Sequence, residues 1–138
     1  NLSNRPYFKS LFEGNPVMGY PVYSRSSGKR SAIIAAPIMK KGRVVAALGV
    51  SVFLDDLNAK LNKDFDLPPN YIWYVLDSEA NTMLKNESDF IFLNAFTVGS
   101  ESLKEALRTA MKTESNKMHY QMNGKKAAQY RKLPNFDW

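Results

Sequence analysis

The sequence predicts an α+β fold made of two similar modules, each an antiparallel sheet with helices packed on one face. Two near-continuous runs of Ala, Ile and Val follow one another across a short turn, as expected of adjacent buried strands. Apolar residues at helical spacing come before and after these runs. Further along, the pair Asn123-Gly124 separates two strand-like segments and is a strong hairpin signal. The first module lacks an opening hairpin, so we expect it to be incomplete at its N-terminus.

A short amphipathic helix is predicted over residues 1–14. Ser3 or Asn4 is a suitable N-cap, because a short polar side chain can accept hydrogen bonds from the first free amides. Pro6 suits the first turn, where its missing amide costs nothing. Gly14 is a suitable C-terminal stop.

Three strands and a second helix complete the first module. The strands are predicted over 17–24, 31–39 and 43–53. Because the last two are rich in small apolar residues, we expect them to be buried on both faces or to line a cavity on one. The helix begins at Leu54, where Asp55 or Asp56 would cap the N-terminal amides.

The second module repeats this pattern after a linker that contains Pro68-Pro69. A helix is predicted over 100–111, opened by Ser100 or Ser102. The region between the first two strands of this module and the helix is irregular but apolar enough to pack. The predicted strands span 71–76, 82–85, 117–122 and 125–132.

Composition excludes several kinds of function. The 138 residues contain no Cys and one His, so thiol catalysis, disulfides and multi-His metal sites are not expected, and we predict no cofactor and no enzymatic activity. The net charge is +6, of which residues 1–58 contribute +5 through eight basic and three acidic side chains. Such a surplus favours anionic ligands. We expect Lys29-Arg30 and the basic residues of 40–43 to lie in solvated turns.

The motif Asn1-Leu2-Ser3-Asn4-Arg5-Pro6-Tyr7-Phe8 resembles the signature of Cache domains, the PAS-like extracytoplasmic sensors of bacterial receptors. Later segments resemble consecutive strands of the same family in order and spacing. They are 21–29, 35–38, 42–50, 74–79 and 133–138. The resemblance implies a double-Cache architecture, with residues 1–58 as the C-terminal half of the membrane-distal module and 59–138 as most of the membrane-proximal one.

The resemblance also implies a ligand site in the distal module. Arg5 would bind a carboxylate with its planar fork of donors. Tyr7, Tyr23 and Ser51 match the positions of the other ligand-binding residues, although Ser51 stands where the amino-acid-binding branch has Asp. Because Ser51 cannot neutralise an ammonium group, a short organic carboxylate fits better than an α-amino acid. Alternatively, Arg5 makes only a structural contact inside the motif.

The function that the resemblance implies is ligand sensing outside the cytoplasm. The chain would be the periplasmic or extracellular part of a bacterial inner-membrane receptor and would bind an organic acid or amino acid. We expect flanking helices outside these 138 residues to attach the chain to the membrane. We also expect homodimerisation through segments outside these residues. The alternatives are a ligand-free Cache-fold module that dimerises or binds a protein, and an unrelated enzyme or nucleic-acid binder; no catalytic set and no basic stripe with interleaved aromatics supports the last two.

Overall fold

The computed structural model describes residues 4–138, which form two compact units, one ending at Tyr71 and the other running from Ile72 to Trp138. Each unit combines antiparallel strands with helices, which confirms the predicted α+β class. The boundary lies later in the chain than the division after Asn58 drawn from the sequence. The assignment of the two parts to distal and proximal modules stays a prediction.

The first unit consists of two helices and three strands. In chain order they are α1 (Pro6–Phe12), β1 (Val17–Tyr23), β2 (Arg30–Lys40), β3 (Arg43–Phe53) and α2 (Leu54–Phe65).

The start of α1 differs from the prediction. Its N-cap is Arg5, whose backbone is extended and whose side chain makes no capping hydrogen bond. Pro6 occupies the first turn as expected, and its fixed φ and missing amide make a polar cap one residue earlier unnecessary. Asn4 is therefore not the cap, and Ser3 lies outside the described residues.

The three strands form one antiparallel sheet in the order β1-β2-β3, and α1 packs on one of its faces. Tyr7 and Leu11 of α1 form a small core with Val17 of β1 and Ala35 of β2, all of them buried. The apolar spacing that predicted the helix thus supplies the side chains that hold it on the sheet.

A bulge at Gly19 changes which residues of β1 face α1. Val17 pairs with Ala35, but after the bulge Tyr20 pairs with Ile33, so one extra residue lies in β1. Gly19 has a φ of +82°, a conformation that glycine adopts without the steric cost of a side chain. The even-numbered residues of the strand face α1 beyond this point.

β3 is an edge strand, and its exposure contradicts the expectation of burial on both faces. It pairs with β2 along one side, and among the described residues no strand pairs with its other side. Nine of its eleven residues are exposed, including Leu48 at 69% and Val50 at 54%. Burial of such a run requires a neighbour on each side and on each face, which its composition alone cannot supply.

The acidic residues that open α2 form ion pairs rather than caps. The N-cap is Phe53, which makes no side-chain capping bond, and Asp55 and Asp56 lie in the first turn. Asp55 pairs with Arg30 and Asp56 with Lys29. The expectation of a solvated turn holds for Lys29, whose side chain is 52% exposed, but not for Arg30, whose side chain is 22% exposed and paired with Asp55.

The second unit contains two separate hairpins and a helical segment between them. Its strands and helices are β4 (Tyr74–Leu76), β5 (Thr82–Lys85), a 3-10 turn (Ser88–Phe90), α3 (Ala95–Val98), α4 (Glu101–Ala110), β6 (Ser115–Gln121) and β7 (Lys125–Arg131). Ser100 caps α4 as predicted, since its Oγ accepts a hydrogen bond from the Leu103 amide at 3.2 Å. β4 is shorter than predicted, beginning at Tyr74 rather than at residue 71.

The core of the second unit lies between α4, the β6–β7 hairpin and the turn after β4. Leu103 and Leu107 of α4 pack with Ala80 and Met118, all of them buried. The turn itself is organised by Asp77, whose carboxylate accepts hydrogen bonds from the amides of Glu79 and Asn81 and from the Asn81 side chain at 2.8–3.0 Å. A buried carboxylate with three donors is a stable turn element rather than a reactive group.

Candidate functional site

Arg5 lies immediately before α1 and its side chain reaches the end of β1. The side chain is half-buried, and Nη2 donates a hydrogen bond to the main-chain carbonyl of Tyr23 at 3.3 Å. A guanidinium has five N–H donors, so one bond of this kind orients the group and leaves its flat face and other edges accessible to an anion. The local cause is Pro6, which begins the helix and leaves Arg5 in extended backbone.

An open depression of about 450 Å³ borders Arg5. Two of its lining residues, Arg5 and Lys9, are cationic, and no acidic side chain is among the described residues that line it. The rings of Phe8 and Phe12 stack with centroids 4.9 Å apart and form an apolar wall. This combination of positive charge and apolar surface suits an organic anion.

Tyr7 is on the side of α1 that faces the sheet. It is 9% exposed, and its ring packs against that of Tyr20 with centroids 5.3 Å apart and an interplanar angle of 56°. Tilted pairs at this separation are favourable because the ring edge of one approaches the face of the other. Tyr7 is thus held firmly between α1 and β1, two residues from Arg5.

Ser51 and Tyr23 lie on opposite faces of the sheet. Ser51 pairs with Ile33, which packs against the core beneath α1, so Ser51 belongs to the face that α1 covers. Tyr23 pairs with Arg30 and lies one residue beyond Val22, a residue of the α1-facing core. Its side chain therefore projects from the other face, where it is 59% exposed.

In the structure, the Arg5 side chain thus contacts the main-chain carbonyl of Tyr23. Tyr7 and Ser51 both lie on the side of the sheet that α1 occupies. The tyrosine of β1 that shares this face is Tyr20, which the sequence analysis did not select. Strict alternation from Val17 would have put Tyr23 on the α1 side, and the Gly19 bulge reverses this. A glycine inside an apolar strand is the one sequence signal that could have indicated the bulge.

The described part of the chain has neither a metal-binding cluster nor a helix suited to crossing a membrane. Within residues 4–138, no three His, Asp or Glu side chains are grouped so that they could hold a metal ion. None of the helices assigned in that range is long and apolar enough to cross a membrane.

No family model matches the sequence, and no curated protein matches it. Solved structures do share its fold. The periplasmic sensory domain of the Campylobacter jejuni chemoreceptor Tlp1 superposes with a TM-score of 0.75 at 15% identity, covering 99% of this chain and 52% of that one. The ligand-binding domain of the Pseudomonas fluorescens chemoreceptor CtaA, solved with L-serine, gives 0.63 at 17%, covering 100% and 59%.

A third similar structure comes from a different class of receptor. The sensor domain of the V. cholerae histidine kinase DctB gives a TM-score of 0.59 at 14% identity, covering 99% of this chain and 58% of that one. The present chain therefore spans only about half the length of the structures that it matches. The resemblance seen in the sequence is confirmed at the level of fold: the chain shares the α+β fold of these receptor sensory domains.

Proposed function

We propose that this chain belongs to an extracytoplasmic receptor and binds a small organic carboxylate beside α1, and that ligand occupancy is the signal that it relays. The observation that carries the proposal is the placement of Arg5. Its guanidinium is oriented by the Tyr23 carbonyl and borders a depression that also has Lys9 at its rim and aromatic walls. A fork of donors next to an apolar wall is what recognition of a carboxylate on a short carbon chain requires.

The other residues of the proposed site have distinct roles. Tyr7 and Ser51 are not among the described residues that line the depression. Tyr7 would support the site by holding α1 on the sheet, and Ser51 would donate a hydrogen bond only to a ligand that extends to the sheet face. Tyr23 would act through its main-chain carbonyl, which holds Arg5, rather than through its ring. Because the described lining of the depression includes no carboxylate, a ligand ammonium group would have no partner there, which favours carboxylates over α-amino acids.

The experiment that tests this proposal is a thermal-shift screen followed by titration calorimetry. The probes are propionate, lactate, succinate, L-serine and γ-aminobutyrate at roughly millimolar levels, where a ligand that binds the folded state raises the unfolding temperature, and raises it further as its concentration increases. We expect at least one of the ammonium-free carboxylates to stabilise the chain, and Arg5→Ala to abolish the shift. Arg5→Lys should retain part of it, since it keeps the charge and loses the fork.

The matched control is Lys40→Ala, which removes one positive charge at the end of β2 and should leave the shift unchanged. A shift that survives Arg5→Ala would contradict the site. No shift with any of the five probes would favour the ligand-free alternative, a module that acts through dimerisation or a protein partner.

A further inference from the structure

The end of the β1–β2 hairpin is tied to α2 by a forked ion pair. Arg30 Nε donates to Asp55 Oδ2 at 3.2 Å, and Arg30 Nη2 donates to Asp55 Oδ1, so both carboxylate oxygens are engaged. Beside it, Lys29 Nζ lies 3.8 Å from Asp56 Oδ2 and 4.7 Å from the centre of the Phe53 ring. Two-point contact fixes the orientation of the guanidinium as well as its distance.

Arg5 contacts Tyr23, the residue of β1 that pairs with Arg30 of β2, and we call this residue pair the Tyr23–Arg30 rung. Its hydrogen-bond acceptor is the carbonyl of Tyr23, and Tyr23 is directly opposite Arg30 in the antiparallel register. Arg5 and Asp55, fifty positions apart in the sequence, thus contact two residues that face each other across one ladder position.

The hairpin between these two contacts is tightly closed. The Ser24 amide donates to the Lys29 carbonyl at 2.8 Å, and the Gly28 amide donates to the Ser24 carbonyl at 2.8 Å. Because these bonds close the hairpin and Tyr23 pairs with Arg30 across it, we expect a displacement of Tyr23 to displace Arg30 as well.

We infer that the Tyr23–Arg30 rung couples the Arg5 site to α2, with Arg30 and Asp55 as positioning residues. This inference rests on the proposed function, because the event that it transmits is the engagement of Arg5 by a carboxylate. A ligand that holds Arg5 in place, or draws it from the Tyr23 carbonyl, changes the constraint on the hairpin end and, through Asp55, on the first turn of α2. α2 is the last helix before the segment that joins the two units.

The environment of the ion pair supports a positioning role. The Arg30 side chain is 22% exposed and the Asp55 side chain 42%, whereas the Lys60–Asp64 pair on the same helix has exposures of 70% and 47%. The less exposed pair is less screened by solvent and salt. Lys60–Asp64 spans one turn within α2 and does not link the helix to the sheet, which makes it a matched control.

The test is site-resolved amide hydrogen exchange in α2, measured on the full 138-residue chain without any ligand. We expect Arg5→Ala to raise exchange of the α2 amides by about threefold or more, since exchange reports local opening of the helix. In an Asp55→Asn background the same substitution should add nothing, because the link is already broken. In an Asp64→Asn background, the effects of Asp64→Asn and Arg5→Ala on α2 exchange should be additive. Arg30→Lys should raise α2 exchange, and Lys9→Ala, which removes the neighbouring cation of α1, should not.

Two results would overturn the inference. One is unchanged α2 exchange in Arg5→Ala. The other is an increase of the same size in α4, which would indicate general destabilisation instead of transmission. Because no ligand is used, this outcome is separate from that of the ligand screen: a failed screen with coupled exchange refutes the proposed function alone, and a successful screen with uncoupled exchange refutes only the coupling.

Discussion

The rings of Tyr7 on α1 and Tyr20 on β1 pack against each other with centroids 5.3 Å apart, and this pair holds the helix that follows Arg5 on the sheet. It exists because the Gly19 bulge turns Tyr20 toward α1 and Tyr23 away from it. The site thus depends on a backbone irregularity in the middle of a strand. A substitution in this pair has consequences for stability and for the orientation of Arg5 together.

The two tyrosines of β1 should respond differently to truncation. Tyr20→Ala removes the ring that packs on Tyr7 and should lower the free energy of unfolding by about 2–3 kcal/mol. Tyr23→Ala removes an exposed ring and should cost less than about 1 kcal/mol, while leaving the carbonyl that binds Arg5 in place. Urea denaturation monitored by circular dichroism measures both. Equal losses would contradict the assignment of the two rings to opposite faces.

The exposed edge strand β3 should tolerate changes that the core does not. Leu48 is 69% exposed and Leu54, six residues later, is 0% exposed. We expect Leu48→Lys to change the free energy of unfolding by less than about 0.5 kcal/mol, and Leu54→Ala to lower it by about 2–5 kcal/mol.

The same strand should make the chain prone to self-association, because a long apolar edge pairs readily with another strand. Leu48→Lys should reduce this association, as measured by sedimentation velocity over a range of concentrations. If Leu48→Lys destabilises the chain as much as Leu54→Ala, then this face of β3 is covered rather than exposed.

Stability should fall at alkaline pH because of Tyr74, a partly buried tyrosine of the second unit whose hydroxyl is buried. Burial raises the pKa of Tyr74 well above its usual value of 10.0, and neighbouring Tyr120 adds to the effect. In the unfolded chain Tyr74 ionises near pH 10.0, whereas in the folded chain it stays protonated at higher pH. Above pH 10.0 the unfolded state therefore binds fewer protons than the folded state. The contribution of Tyr74 to the free energy of unfolding is complete below pH 10.0 and is lost as the pH rises from there toward the higher pKa of the folded chain.

Tyr74→Phe should remove this part of the pH dependence. The comparison is the urea midpoint from about pH 8 to about pH 11, a range that brackets the ionisation of an ordinary tyrosine. Tyr71→Phe is the control, since Tyr71 is 59% exposed three residues earlier. A Tyr74→Phe variant with the same alkaline loss as the parent chain would show that this tyrosine is not responsible for it.

Local sequence was sufficient to predict most of the helices and strands. β3 and β5 begin and end at the predicted residues, α4 is capped by Ser100, and Pro6 opens α1, because alternation, capping chemistry and proline geometry act over a few residues. The motif around Arg5 likewise indicated the fold, and it did so without any knowledge of packing.

What the tertiary structure alone decided is which side chains meet. The bulge at Gly19 chose Tyr20 over Tyr23 for the α1 face, since one extra residue reverses the alternation of everything after it. The approach of β2 to α2 converted Arg30 from an expected turn residue into the partner of Asp55. The exposure of β3 followed from its position at the edge of the sheet. Strand position, register and pairing between distant segments depend on where the whole chain folds back, whereas the pattern of neighbouring residues reports only the local conformation.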